Sequence, residues 1–481
     1  MDLQWRDGDS EARFSAYVEQ LSGCLGHADR VAPLRSYCTG LLLPGDRKSV
    51  EPMAARLRPD RTSAEHQSLL HFVGQSSWDE KALLQAVRAA VLPVMTQRQP
   101  IEAWIVDDTG FPKKGHHSVG VGRQYCGQLG KQDNCQVAVS LSVASCEASL
   151  PVAWQLYLPE AWAADGARRK KAKVPEGIGF QTKPEIALGQ IKAALAEGIA
   201  PGVVLADAGY GNSSAFRDGL GALDLEFVVG VSGTATVWRQ GITPAVPTAT
   251  GRGRPPKRLR RGGDDAPVEQ VAALAESFPA EAWQAVSWRE GAAEALVSRF
   301  AALRVRPAQG DHRRSTPRPE HWLLAEWPVD EAEPSKFWLS NLPADTSIDR
   351  LVWLAKLRWL IERDYLELKQ ELGLGHYEGR GWPGFHHHGA LCIAAYGFLV
   401  AEKAAIPPST PETTWLVKAP GLPGGYRPRG SPNPNRATCA PLDRHTATTD
   451  RTRPGAKPAP MSLLRADHQT SIQCSKQFMT Q

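Results

Sequence analysis

The chain has 481 residues, with 56 Lys and Arg against 51 Asp and Glu, a formal net charge of +5. Hydrophobic residues make up 42% of it, enough for a packed core, which excludes a wholly disordered chain. With 43 Gly and 8 Cys, a collagen-like or disulfide-stapled scaffold is excluded as well.

The length predicts two or three domains. From residue 406 to the end there are ten Lys/Arg and four Asp/Glu, which leaves 46 and 47 in the first 405. The basic excess therefore lies in the tail, and the body is nearly neutral. No cysteines form a C-x-x-C pair, which argues against a zinc ribbon. Their scatter fits reduced thiols in a cytosolic protein. The stretch Met1 to Asp7 is polar and acidic, unlike a signal peptide. No apolar run reaches the length of a membrane span. The expectation is a cytoplasmic protein with no membrane partner.

Residues 1–98 read as short helices: a run closing at Leu41-Leu42-Leu43 before Pro44-Gly45, one from Arg47 to Pro59, one from Ala64 to Phe72, and a strongly helical stretch from Asp79 to Met95. This predicts a small helical domain, with a texture common to helix-turn-helix DNA readers and plain bundles. At 101 the pattern changes. Ile101 to Val106 is an apolar run ending in Asp107-Asp108-Thr109-Gly110, read as a buried strand that stops at a turn. Ser118 to Tyr125, Gln136 to Ala144 and Val152 to Leu158 read as further strands. A basic loop follows, with Arg168, Arg169, Lys170, Lys171 and Lys173, then a helix from Pro184 to Glu197. Val203 to Ala206 is a short strand ending at Asp207, and Leu225 to Val229 is another. Residues 99–230 thus predict an α/β layer with a mixed sheet, and two of its strands end in carboxylates at the edge where sites form.

From 231 to 345 the pattern loosens into a mostly β insertion. It contains a basic Gly/Pro loop, 252–261, and strands at Val297 to Val305, Trp322 to Trp327 and Phe337 to Ser340. Residues 346–405 hold a long helix, Ile348 to Leu372, and a second, His386 to Glu402. Residues 406–481 carry 12 of the 37 prolines, which predicts a basic disordered tail.

On the long helix, Arg358, Glu362, Tyr365 or Leu366, and Lys369 recur every three to four residues and share one face. Glu362 follows Trp359, Leu360 and Ile361, which places it near a buried seam, where a carboxylate needs a partner or a metal. The plainer alternative is an i,i+4 ion pair with Arg358. Three carboxylates, two at strand ends and one on a helix, would make a hard oxygen-lined site suited to Mg²⁺ and to phosphoryl transfer.

These segments resemble the motifs of bacterial insertion-sequence DDE transposases. Ile105-Val106-Asp107-Asp108-Thr109-Gly110-Phe111-Pro112-Lys113-Lys114-Gly115 is similar to their first-aspartate motif, and Val204-Leu205-Ala206-Asp207-Ala208-Gly209-Tyr210-Gly211 to the second. The helix resembles their Tyr-x2-Arg-x3-Glu-x6-Lys signature through Arg358, Glu362 and Lys369, with Ala355 at the Tyr position. The resemblance runs from around residue 30 to residue 405. It implies an RNase H-like mixed-sheet catalytic core interrupted by the β insertion, and strand cleavage and 3′-OH strand transfer dependent on Mg²⁺, with Mn²⁺ as a substitute. It implies a catalytic, metal-binding triad of Asp108, Asp207 and Glu362. Asp108 is preferred to Asp107 because the family's ligand directly precedes Thr. Alternation leaves that choice open, since a central strand is buried on both faces. Arg358 and Lys369 would meet DNA phosphates, and Tyr365 is a candidate substitute for the missing Tyr. The implied partners are terminal inverted repeats and target DNA, with a homodimer in the synaptic complex, near the nucleoid.

Lys113 and Lys114 are further candidate DNA contacts. His116-His117 and His386-His387-His388 could suggest a metal, but adjacent helix positions face apart, which argues against a helix-borne site, and surface or DNA contact is the expectation. Trp338 is either a base-stacking residue or, more simply, a core tryptophan. Competing readings are a non-transposing nuclease on the same core, a catalytically dead element remnant and, more distantly, a glycosidase with paired carboxylates.

Overall fold

The computed structural model describes residues 5 and 9–406, apart from 249–250, 252–253, 255, 260–266 and 291–294. Five helices come first: α1 (Ser10–Ser22), α2 (Val31–Leu42), α3 (Val50–Leu57), α4 (Thr62–Gly74) and α5 (Glu80–Met95). Then follow β1 (Ala103–Pro112), β2 (Gly122–Cys126), β3 (Lys131–Ala144), β4 (Ser149–Leu156), α6 (Glu160–Ala163), α7 (Gly166–Lys171) and α8 (Lys183–Ala196). The core continues with β5 (Val203–Ala206), α9 (Ala208–Gly211), α10 (Ser214–Ala222) and β6 (Phe227–Val231). The insertion contains β7 (Thr236–Arg239), β8 (Glu269–Gln270), α11 (Val271–Glu276), β9 (Gln284–Glu290), β10 (Ala295–Pro307), β11 (His321–Trp327) and β12 (Lys336–Ser340). The last elements are α12 (Ile348–Leu357), α13 (Trp359–Gln370) and α14 (Trp382–Ala405).

Local sequence explains the helices that frame the site. In α5, Asp79 caps the first turn by accepting from the Lys81 N–H, and Leu83, Leu84, Val87, Ala90, Val91 and Met95 form one buried stripe. In α8, Thr182 and Glu185 make a reciprocal capping box, with Pro184 in the first turn. α14 is buried along nearly all of its length. Its Gly389 lets it lie directly against the Trp154 indole of β4, where a Cβ would collide. The N-terminal helices wrap α14, and one hydrophobic core runs from Trp5 and Tyr17 through the sheet to Ala405. Among the described residues no helix is long and apolar enough to cross a membrane.

The strands form one mixed sheet in the order β2-β3-β1-β5-β6-β12-β11-β10-β7-β8, with β4 also on β3 and β9 on β10. β1, β5 and β6 are mutually parallel; the remaining pairs are antiparallel.

Several expectations need correction. The β insertion does not stand apart: β12 pairs with β6 and continues the main sheet, while a smaller core around Val237, Leu274, Val305 and Leu323 fills its far end. β1 does not stop at its aspartates. It runs on to Pro112, paired with β3 throughout, whereas its parallel pairing with β5 ends at Ile105. The aspartates therefore lie where one edge of β1 keeps its ladder and the other has left its partner strand behind. The long helix is broken at Arg358, where the chain tightens and the Ile361 N–H donates to the Arg358 carbonyl three residues back.

The basic segment 168–173 is largely helical, because Asp165 caps α7 by accepting from the Arg168 N–H. The proline-rich segment from 407 onward, and Arg252, Arg260 and Arg261 of the second basic loop, lie outside the described residues.

Candidate active site

Strand register decides which carboxylates meet. The parallel pairs Ala103↔Val203, Trp104↔Val204 and Ile105↔Leu205, carried two residues further, bring positions 107 and 207 to matching heights on one face of the sheet. Across the other edge Asp107 pairs with Ser140, whose Oγ lies 2.7 Å from the Tyr365 hydroxyl of α13. The Asp107 face is thus the α13 face. Asp108, one residue on, points to the opposite face. There Lys183, the first residue of α8, places Nζ 3.0 Å from Asp108 Oδ2, and the Tyr210 hydroxyl donates to the same oxygen at 3.2 Å.

Arg358, at the break between α12 and α13, joins the cluster on the α13 face. Its guanidinium donates to Asp107 Oδ2 at 2.8 Å and to Glu362 Oε1 at 3.0 Å. Burial by itself would lower the Arg358 pKa, but Asp107, Glu362 and Asp207 together hold it above its ordinary value. Burial pushes the Asp107 carboxyl up to about 7; Arg358 opposes this, and the Asp207 and Asp108 carboxylates add to it. Asp207 sits at the mouth of α9, where its Oδ1 accepts from the Gly209 and Tyr210 N–H groups at 2.9 and 3.4 Å. The Glu362 side chain is 50% exposed, so it is not in the buried seam expected for it. Both the i,i+4 pair and the wider cluster are therefore present, with Arg358 as their common member.

Among the described residues, no three His, Cys, Asp or Glu side chains are grouped as a metal-binding set, and Arg358 links Asp107 to Glu362. The donor set nevertheless suits a hard divalent cation. It is all carboxylate oxygen, one member is open to solvent, and a positive group already bridges two of its members.

The other candidate residues separate clearly. Lys369 is held inward: its Nζ donates to the Gly110 carbonyl at 2.9 Å and lies over the Phe111 ring, and burial lowers its pKa to about 8. Lys113 donates to the Tyr377 carbonyl at 2.9 Å, whereas Lys114 is exposed. Tyr365 is buried against Ser140 and faces the sheet, and Ala355 is buried on α12. Asp364, which no motif marks, is fully buried and accepts from Ser149 Oγ and the Tyr396 hydroxyl, tying α13 to β4 and α14.

His386, His387 and His388 are buried, contrary to the surface expectation. Each one finds hydrogen-bonding partners inside. His386 uses the Trp382 carbonyl and the Leu156 N–H; His387 faces the Val73 and Trp78 carbonyls; His388 meets the Tyr37 hydroxyl and the Gly373 carbonyl. α14 is surrounded by helices and sheet, so adjacent positions facing apart all face protein. His116 and His117 are exposed.

Trp338 packs against the core beside Lys356, whose ammonium contacts both Glu326 oxygens at 2.6 Å. Arg168 stacks on Trp162 and donates to the His116 carbonyl, while Lys170, Lys171 and Lys173 are exposed.

Lys183 and Tyr210 belong to the site, yet only the capping box before α8 and the motif around Asp207 mark their neighbourhoods in the sequence. Their shared partner, Asp108, is visible only in three dimensions.

A protein with this sheet edge has known relatives. A stretch of 166 residues is 35% identical to the "Probable transposase for insertion sequence element IS701" of Microchaete diplosiphon; it covers 34% of this chain and 40% of that protein. A family model described as DDE superfamily endonuclease matches residues 20–295, a segment that includes β1 and β5 with their aspartates and ends before α13. Since that match takes in more than half of the chain and both aspartate-bearing strand ends, the protein belongs to the DDE superfamily endonucleases.

Proposed function

We propose that the chain is the DNA transposase of an insertion sequence, cutting DNA at the element's ends and joining the freed 3′-OH to a target phosphodiester. The observation that carries this reading is the Arg358 bridge between Asp107 and Glu362, beside the parallel strand end that carries Asp207, in a DDE superfamily chain. The strand order β3-β1-β5-β6, with β4 beyond β3 and the last three of that series parallel, supports an RNase H-like core.

The first carboxylate of the triad is Asp107 in this proposal. Asp108, favoured by its place before Thr109, faces Lys183 and Tyr210 across the sheet from Glu362. Mg²⁺, or Mn²⁺ in its place, would be held by Asp107, Asp207 and Glu362 and would supply positive charge for the attacking and leaving oxygens of phosphoryl transfer.

Arg358 neutralises the carboxylates before DNA arrives and is placed to meet a phosphate that enters between them. Lys369, fixed to the Gly110 carbonyl, keeps a second positive group beside the same strand. Lys114 and the exposed lysines of 170–173 offer sequence-independent phosphate contacts. Two ends brought together call for a homodimer at work.

The test uses the full chain, Mg²⁺, and linear DNA carrying the inverted repeats that bracket the gene. Nicks at the repeat ends followed by joined products are expected, and Asp107→Asn and Glu362→Gln should abolish both. Cleavage without joining would leave a nuclease, and wild-type cleavage by Glu362→Gln would overturn the site.

A further inference from the structure

The two adjacent aspartates of β1 have different partners. Asp107 faces Arg358 and Glu362. Asp108 reaches Lys183 and Tyr210, and Tyr210 lies three residues after Asp207. The one-turn segment from Asp207 to Gly211 is held at both ends. At its start the Asp207 carboxylate accepts from the backbone N–H groups of Gly209 and Tyr210. At its far side the Tyr210 ring is buried beside Phe216, and its hydroxyl ends on Asp108 Oδ2. Gly211 lies directly on the Gly230 carbonyl of β6, where no side chain fits.

Moving the Tyr210 hydroxyl therefore moves the N–H groups that aim the Asp207 carboxylate. Lys183 Nζ holds the Asp108 carboxylate from α8 at 3.0 Å, and α8 is in turn fixed by its capping box. A buried hydroxyl needs its acceptor, and a carboxylate that is only 26% exposed is a strong one.

We propose that Asp108 is a positioning residue: through the Tyr210 hydroxyl it fixes the turn that presents Asp207 to the metal, and it is not itself a metal ligand. This rests on the reading that Asp107, Asp207 and Glu362 hold the divalent ion.

Mn²⁺ binding to the full chain, read by electron paramagnetic resonance without DNA, tests it. Asp108→Ala should weaken Mn²⁺ binding by about 10-fold to 100-fold, the usual effect of removing a group that orients a ligand. Asp108→Asn keeps an acceptor for the Tyr210 hydroxyl but loses the charge, so it should recover most of that affinity. Tyr210→Phe should match Asp108→Ala, and the double variant should be no worse than either single one.

Asp108→Asn binding as poorly as Asp108→Ala would make Asp108 a ligand and overturn the proposal. So would additive effects of Asp108→Ala and Tyr210→Phe, or no effect of either. Thermal melting of each variant separates these outcomes from loss of fold. If Asp107→Asn and Glu362→Gln bind Mn²⁺ like the wild type, the underlying carboxylate site fails instead, a result distinct from any of the others.

Discussion

Two clusters of titratable side chains lie on consecutive helices. The carboxylates about Arg358 centre on α13, and the histidines 386–388 open α14. By residue type either cluster could suggest a metal. The structure gives the two clusters different roles. Five of the six histidine ring nitrogens face backbone groups and the sixth meets the Tyr37 hydroxyl, and the rings are sealed in the core. The carboxylates Asp107 and Glu362 share one cation, Arg358, and Glu362 is half open to water. A cluster whose ring nitrogens all face protein groups holds the fold. A cluster with an open side can take a ligand.

The largest expected effect falls on the carboxylate side of the contrast. Glu362→Gln should lower DNA cleavage by about 10³-fold or more, as loss of several kcal/mol of charge stabilisation requires. Being half exposed, it should leave the melting temperature within a degree or two of wild type. A large loss of stability would show that Glu362 belongs to the same class as the histidines.

Next come stability effects on the histidine side. Trp78 stacks on His387 with centroids 3.8 Å apart, so Trp78→Ala should cost about 3–5 kcal/mol in urea unfolding. Cleavage per folded molecule should be unchanged.

The same side predicts a pH dependence. Burial pushes the His386 and His388 pKa values down to about 4, against about 6.5 in the unfolded chain. Between these values the unfolded state binds protons that the folded state refuses. Their contribution is therefore complete above the unfolded value and is lost as pH falls from there toward 4. Each histidine contributes a slope of up to about 1.4 kcal/mol per pH unit. Urea midpoints at pH 7.5 and 5.5 should show the fall, and His386→Gln should remove about half of the slope from this pair. An unchanged slope would mean that His386 is not held neutral.

The smallest effect repeats the contrast on one turn. Lys114→Ala should weaken DNA binding a few-fold and reduce the salt slope by about one ion. Lys113→Ala, whose ammonium is bound to the Tyr377 carbonyl, should cost about 1 kcal/mol of stability with less change in the salt slope. Equal salt slopes for the two variants would put Lys113 on the DNA as well.

The local alphabet of the fold was legible wherever short-range physics sets it. The helices near 50–57, 62–74 and 80–95 follow from their apolar stripes, the last also from its Asp79 cap, and α8 from its amphipathic pattern. β10, β11 and β12 lie close to the strands expected there. Arg358, Glu362 and Lys369 were singled out by spacing alone, and Asp207 by its place after a short apolar strand.

What escaped was set by pairing between distant segments. The insertion joins the main sheet because β12 finds the open edge of β6. β1 passes through its aspartates because β3 goes on supplying hydrogen bonds after β5 has ended. The histidines are core because β4 and the N-terminal helices enclose α14. The sequence by itself determined which carboxylates and cations were candidates, since residue type and spacing along one strand or helix are local properties. Only the tertiary structure decided that Asp107 looks toward Glu362 and Asp108 toward Tyr210. Side chains one residue apart on a strand face opposite ways, and which way is inward depends on what packs on each face.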